Sequence, residues 1–155
     1  NSIRVGKSLG LNSFELRDLE YSALLHDVGK IGIPEKILLK DGKLTDEEFE
    51  IMKLHTTKGA EIISHIKQLK GSIPGIKYHH ERYDGKGYPE GLKGEEIPLL
   101  ARIIAVCDSF DAMTSDRPYR KALSKADTIE ILRKESGRQF DPKVLEKLLN
   151  NLVSC

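Results

Sequence analysis

His79, His80 and Glu81 stand in a row and run directly into a segment with two glycines that closes on Tyr88 and Pro89. Neighbouring side chains on a helix diverge by about 100°, so one packing face seldom takes two adjacent imidazoles. Imidazole and carboxylate are ligands for divalent ions, and the same chain holds His26 beside Asp27, His55, and Asp108. A His–Asp pair at one helix end offers a nitrogen and two oxygens, and the carboxylate can bridge two ions. Asp108 stands between RIIAVC and SF, where an unpaired buried carboxylate is costly. Arg102 or Arg117 could pair with it, or a cation could. Taken singly, each of these residues has a plainer role as a cap, a turn former or a surface charge. Together they are four of the five histidines plus two aspartates, set at the ends or inner stretches of different predicted helices. Six mixed nitrogen and oxygen ligands exceed what one tetrahedral zinc takes and suit two octahedral ions sharing a carboxylate, which favours iron or manganese. The fifth histidine, His65, lacks a partner at useful spacing and is expected on the surface or in packing.

Two metals a few ångströms apart are suited to hydrolysing phosphate esters, because they generate hydroxide from water and neutralise charge on the phosphoryl and leaving oxygens. Such a substrate is anionic. Lys30, one turn past Asp27, and Arg117 and Arg120, after the Asp108 helix, could meet its phosphates. Tyr88, expected exposed beside Pro89, offers a rigid stacking surface for a base.

The elements that must position these groups are helical nearly throughout. The first residues read as the end of a helix closed by Gly10. Asn12 with Glu15 resembles a capping box for a helix carrying Leu16, Leu19, Ala23 and Leu24, with His26 and Asp27 at its C-terminal end. Thr45 with Glu48 repeats the pattern before Phe49, Met52 and Leu54, and His55 lies on or just after that helix. Ala60, Ile62, Ile63 and Ile66 form the apolar side of the next helix, Gly71 stops it, and Pro74 starts another that delivers His79 and His80. Residues 82–98 form a long glycine-rich irregular stretch, the kind of loop that is functional or disordered. An apolar helix runs from Pro98 to about Thr114, interrupted by Asp108 and Asp111. Ser124 with Asp127 opens a helix over Ile129 and Leu132, and Asp141 with Pro142 opens the last.

At 155 residues the chain is long enough for one domain with a real core. With 25 Lys and Arg against 24 Asp and Glu, the net charge of +1 gives no reason to expect DNA or a membrane surface as partner. No apolar run reaches the ~18 residues that span a bilayer. Cys107 and Cys155 form no CxxC and no disulfide framework, which favours a reducing compartment, the cytoplasm by default.

HDVGK (26–30), MKLH (52–55), HHERYDGKGYP (79–89), IIAVCDSFDAMTSDRPYR (103–120) and GRQFDP (137–142) resemble, in order and spacing, the HD-GYP family of the HD phosphohydrolase superfamily. The resemblance implies an all-α, HD-domain-type helical bundle with an extended GYP loop, residues 1–155 being a single HD-GYP domain. It implies hydrolysis of cyclic di-GMP to linear pGpG, and often on to GMP, at two or three iron or manganese ions. By that pattern His26, Asp27, His55, His79, His80 and Asp108 match metal ligands, with Asp27 the bridge. Lys30, Arg117 and Arg120 match phosphate-holding positions, Tyr88 matches a guanine contact, and Lys30 is a further candidate to protonate the leaving oxygen. The family places another histidine ligand, and in three-metal members a glutamate, on the helix preceding LGL (9–11), which falls before Asn1. An N-terminally truncated domain is therefore expected. An upstream receiver or sensor domain and a diguanylate cyclase domain docked through the GYP loop are the partners the family implies. Two other readings stay open: a module that binds cyclic di-GMP or a cyclase without turnover, and a phosphohydrolase acting on another nucleotide ester.

Overall fold

The computed structural model describes residues 1–116 and 121–153. Among them lie nine α-helices: α1 (Ser2–Ser8), α2 (Ser13–Leu25), α3 (Glu35–Leu38), α4 (Asp46–Lys53), α5 (His55–Ser64), α6 (Ile73–Tyr78), α7 (Leu99–Thr114), α8 (Lys125–Lys134) and α9 (Pro142–Val153). Short 3-10 helices occupy Val28–Gly32, Lys67–Ser72 and Gly94–Glu96. No strand occurs among the described residues, only an isolated bridge between Ser136 and Phe140, so the all-α expectation holds.

The helix starts follow from side chains that satisfy otherwise orphaned amides. Asn12 Oδ1 accepts from the amides of Phe14 and Glu15, while the Glu15 carboxylate accepts from the Asn12 amide at 2.8 Å. Thr45 and Glu48 reciprocate in the same way at α4. Ser124 Oγ accepts from the Asp127 amide at α8. At the other end of α1, Gly10 takes the left-handed conformation that closes the helix, with φ of +82°.

The core is built on α7. Ile103, Ile104, Val106, Cys107 and Phe110 are buried against Val5 of α1, Leu19 of α2, Leu132 of α8, and Val144, Leu145 and Leu148 of α9. Burial on several sides at once accounts for the nearly continuous apolar run of α7. Arg102 does not pair with Asp108. Its guanidinium donates to the buried Asp141 carboxylate at 2.6 Å, joining α7 to the start of α9, where Asp141 Oδ1 also accepts from the Lys143 amide. Three residues of the expected apolar faces are exposed instead. Leu24, five positions after Leu19 and so about 140° around α2, is 73% exposed. Ile62 is exposed as well, because His55, Thr56, Gly59, Ala60 and Ile63 form the inward face of α5, and so is Ile66, because α5 ends at Ser64 and a 3-10 helix over Lys67–Ser72 follows in place of a helix running to Gly71.

Candidate metal centre

Three helix ends converge on one cleft. His26 caps the C-terminus of α2, His55 opens α5, and His79 caps α6 with His80 next to it. The chain breaks from α4 into α5 at Leu54, which resolves the ambiguous position of His55: it begins the second helix. Asp27 is held against that helix by Gly29. A Cβ at position 29 would collide with the carbonyl of His55 and the amide nitrogen of Gly59, so only glycine lets the Val28–Gly32 turn lie flush on α5.

Three of the imidazoles are oriented by the same device. Nδ1 of His26, His55 and His79 lies 2.8, 2.7 and 2.7 Å from the carbonyl oxygens of Ala23, Met52 and Ile76, each three residues upstream. A carbonyl only accepts, so each Nδ1 must carry the proton, and in the neutral ring each Nε2 is then a lone pair. His55 Nε2 and His79 Nε2 face each other at 3.4 Å. Both residues are almost fully buried. A proton is a poor solution for this pair, since burial lowers the pKa of His55, and burial with the neighbouring His80 pushes His79 down to about 2. A shared cation is a good one: two nitrogens each about 2.0–2.2 Å from one ion lie about 3–3.5 Å apart at tetrahedral or octahedral angles. His80 completes a cluster whose ligand atoms lie within 4.8 Å of one another, and its pKa is driven by burial and His55 down to about 4.

Asp27 sits between two groups of ligands. Oδ1 is 3.6 Å from His55 Nε2, and Oδ2 is 3.6 Å from His26 Nε2, which lies 3.7 Å from Asp108 Oδ1. One carboxylate thus turns an oxygen toward each side. Burial disfavours its charge, but the hydrogen bond and charge of Lys30, together with His26 and His55, outweigh that and lower its pKa. Lys30 Nζ donates to Asp27 Oδ2 at 2.6 Å, so its ammonium lies on a candidate ligand rather than reaching free into solvent.

Asp108 departs from the expectation that placed it in the core. Its side chain is 44% exposed. Among its helix neighbours Cys107 is buried, while Asp108 is turned out of the core into the cleft shared with His26, so burial cost is not what demands a cation there. A small cavity of about 90 Å³ beside these two residues is also lined by Ser2 and Asp111.

The loop after His80 is tied down rather than free. Glu81, buried and flagged in the sequence only by its adjacency to the histidines, accepts from the amides of Glu90 and Gly91 at 2.7 and 3.0 Å. The Tyr88 amide donates to the His80 carbonyl, and Gly87 passes so close to the backbone of Glu81 and Arg82 that a Cβ would not fit. Tyr88 is half-buried, not exposed. Its ring stacks on His80, with centroids 4.9 Å apart and planes 26° apart, and meets the Phe49 ring edge-on at 6.2 Å. The Lys53 ammonium lies 5.6 Å from the Tyr88 centroid and 5.0 Å from that of Phe49. The stacking surface expected for a base is therefore already engaged by an imidazole. A cavity of about 370 Å³ opens beside it, between Phe49, Lys53, His80, Lys86, Tyr88 and Gln139. Of these, Phe49 had no site signal in the sequence, and Lys53 and Gln139 stood within MKLH and GRQFDP without an assigned role, because their relation to His80 is purely spatial. Arg117 and Arg120 lie outside the described residues.

This geometry has counterparts. A family model described as HD domain matches residues 2–144. The chain belongs to the HD domain family. Membership implies divalent-metal binding, and the motifs that resemble the HD-GYP group place this HD domain within it. The chain is 47% identical over 148 residues to the cyclic di-GMP phosphodiesterase response regulator RpfG of Xanthomonas campestris pv. campestris (strain 8004), covering 94% of this chain and 39% of that protein. It is 39% identical over 152 residues to the 3'3'-cGAMP-specific phosphodiesterase 2 of Vibrio cholerae serotype O1, covering 96% and 29%. The HD domain thus spans about two fifths of the first relative's length. Among solved structures, a cyclic GMP-AMP specific phosphodiesterase of V. cholerae (V-cGAP3) superposes with a TM-score of 0.78 at 24% identity, over 99% of this chain and 42% of that one, which shows the shared fold.

Proposed function

We propose that this chain is the catalytic unit of a metal-dependent phosphodiesterase that hydrolyses cyclic di-GMP to pGpG, and onward to GMP, in bacterial second-messenger signalling. The observation that carries this reading is the pair of buried, carbonyl-locked imidazoles whose Nε2 lone pairs meet at 3.4 Å beside a two-sided carboxylate. In it His55, His79, His80 and Asp27 would hold one divalent ion, and His26, Asp108 and Asp27 a second, iron or manganese at both. Bound there, the ions supply Lewis-acid activation of water and charge neutralisation at the phosphoryl group. The chain's own residues do the rest. The carbonyls of Ala23, Met52 and Ile76 fix the imidazole tautomers. Lys30 lies 2.6 Å from Asp27 and can turn from it to the ribose oxygen that leaves phosphorus, delivering the proton that oxygen needs. Arg117 and Arg120 are assigned to the phosphates, and Tyr88 to the base side of the site, on the family resemblance.

We read residues 1–155 as one HD-GYP unit, in keeping with a family match over residues 2–144. Regulation by a receiver domain is supported by the response-regulator relative, while docking of a cyclase domain on the loop at Gly85–Pro89 rests on the family resemblance alone. No described helix is long and apolar enough to cross a membrane, and the sparse cysteines favour the cytoplasm. A second reading, turnover of 3'3'-cGAMP, is favoured by the 39% identical relative of that specificity. Metal analysis after aerobic and anaerobic purification, coupled to product analysis with both dinucleotides, tests these readings. Metal with pGpG or GMP formation is expected. Metal without turnover would favour a binding module, and absence of both would remove the proposal.

A further inference from the structure

We infer that Gln139 reads the edge of a purine base, guanine or adenine, in the cavity beside His80, and so contributes to the affinity of the site for a cyclic dinucleotide; this rests on the phosphodiesterase reading above. At about 370 Å³ the cavity falls within the ~300–1,000 Å³ typical of small-molecule sites, and it adjoins the candidate metal ligand His80 directly. Its walls suit a nucleobase. Phe49 presents a ring that is 45% exposed, a stacking surface that Tyr88, engaged by His80, no longer offers in full. Lys86 is exposed at the rim, where a phosphate can meet it.

Gln139 is the one carboxamide in this lining, and it also borders the smaller cavity of about 120 Å³ on the other side of His80, next to Asp108 and Ser109. Among the described residues no side-chain hydrogen bond occupies its amide, whereas two of the charged groups nearby are engaged: Arg82 by Asp84 at 2.9 Å, and Lys53 by Glu50 at 2.6 Å. Its backbone, by contrast, is fixed. The Gln139 carbonyl accepts from the Tyr83 amide, its own amide donates to Glu135, and the next two residues, Phe140 and Asp141, are buried. An unpaired donor–acceptor group on an anchored backbone is what a base-reading residue requires. Its carbonyl can accept from guanine N1–H and N2–H while its NH2 donates to O6. The same group can pair with adenine, donating to a ring nitrogen and accepting from N6–H.

The chemistry predicts different outcomes for two substitutions. Gln139→Glu keeps the acceptors that guanine uses and sets a carboxylate against the acceptor nitrogen of adenine. Gln139→Leu removes both functions. Binding of hydrolysis-resistant phosphorothioate analogues of cyclic di-GMP and cyclic di-AMP is measured by calorimetry on the metal-loaded protein, beside turnover of cyclic di-GMP and 3'3'-cGAMP, with metal content and melting temperature recorded for each variant. Gln139→Glu is expected to widen the guanine-to-adenine affinity ratio about tenfold, and Gln139→Leu to weaken cyclic di-GMP binding by about tenfold. A guanine-to-adenine ratio within twofold of wild type in Gln139→Glu, together with cyclic di-GMP affinity within twofold of wild type in Gln139→Leu, at normal melting temperature, overturns the inference. Binding without turnover that still shows these shifts supports it while sinking the phosphodiesterase reading. Failure of the wild-type protein to bind either dinucleotide overturns both.

Discussion

The three inward imidazoles of His26, His55 and His79 owe their aim to a single backbone relation, an Nδ1–H donated to the carbonyl three residues upstream. The residue types and their grouping were visible in the sequence, but this relation was not, because it depends on each histidine falling at a helix end. Asp108 shows the converse. Its apolar neighbours suggested a buried charge, yet those neighbours face the core of α7 and the carboxylate faces the cleft. Lys30 is the residue whose role is most sharply testable. Its ammonium already touches Asp27, so it can both hold that carboxylate and serve the leaving oxygen. Lys30→Ala is expected to lower kcat by about 10²-fold while bound metal stays near the wild-type level. Single-turnover kinetics with metal analysis on the same sample checks this, and an unchanged kcat would discard the proton-donor role.

Between the residue and the molecule stand elements whose beginnings were far easier to read than their faces. The caps at Asn12, Thr45 and Ser124 form as local side-chain chemistry dictates, since each needs only residues within four positions. The exposed Leu24, and the break at Leu54 that sends His55 into the site, depend on what packs against the helix and are not local properties. The loop of residues 82–98 was legible as irregular, but not as anchored. Glu81 and the stack of Tyr88 on His80 close the loop on residues eight to ten positions back, and the bonds to residues 138 and 139 cross the fold. The tightest such contact is Gly29 on α5. Gly29→Ala must push the Val28–Gly32 turn off the His55 carbonyl, which overpacking predicts will cost about 2–3 kcal/mol. Thermal denaturation is expected to show a melting temperature lower by about 5–10 °C, with weaker metal binding because Asp27 moves with the turn. A normal melting temperature would show that the turn is free to shift.

For the whole molecule, the site lies where α2, α5 and α6 meet the solvent side of α7, and the core behind α7 holds those helix ends in place. The loop is fastened to that core by charge as well as by backbone. Arg82 makes two hydrogen bonds to Asp84, at 3.1 and 2.9 Å, and approaches Glu135 at the end of α8. The hydrogen bond from Arg82, joined by that from the Lys86 amide, lowers the Asp84 pKa to about 2 from the ordinary 3.8. A depressed carboxylate pKa contributes stability that is present above the ordinary value and is lost as pH falls through the folded one. Urea midpoints should therefore drop between about pH 4 and pH 2 by more in the wild type than in Asp84→Asn, and parallel curves would show that the pair contributes nothing. The account as a whole stands on metal-dependent turnover at the clustered imidazoles. The most direct test is hydrolysis of cyclic di-GMP by chelator-stripped protein as manganese or ferrous iron is added back, run beside His79→Ala. Turnover that returns in proportion to bound metal in the wild type, and stays absent in the variant with less metal held, is the predicted result. Turnover by the stripped protein, or by His79→Ala at the wild-type rate, would contradict it.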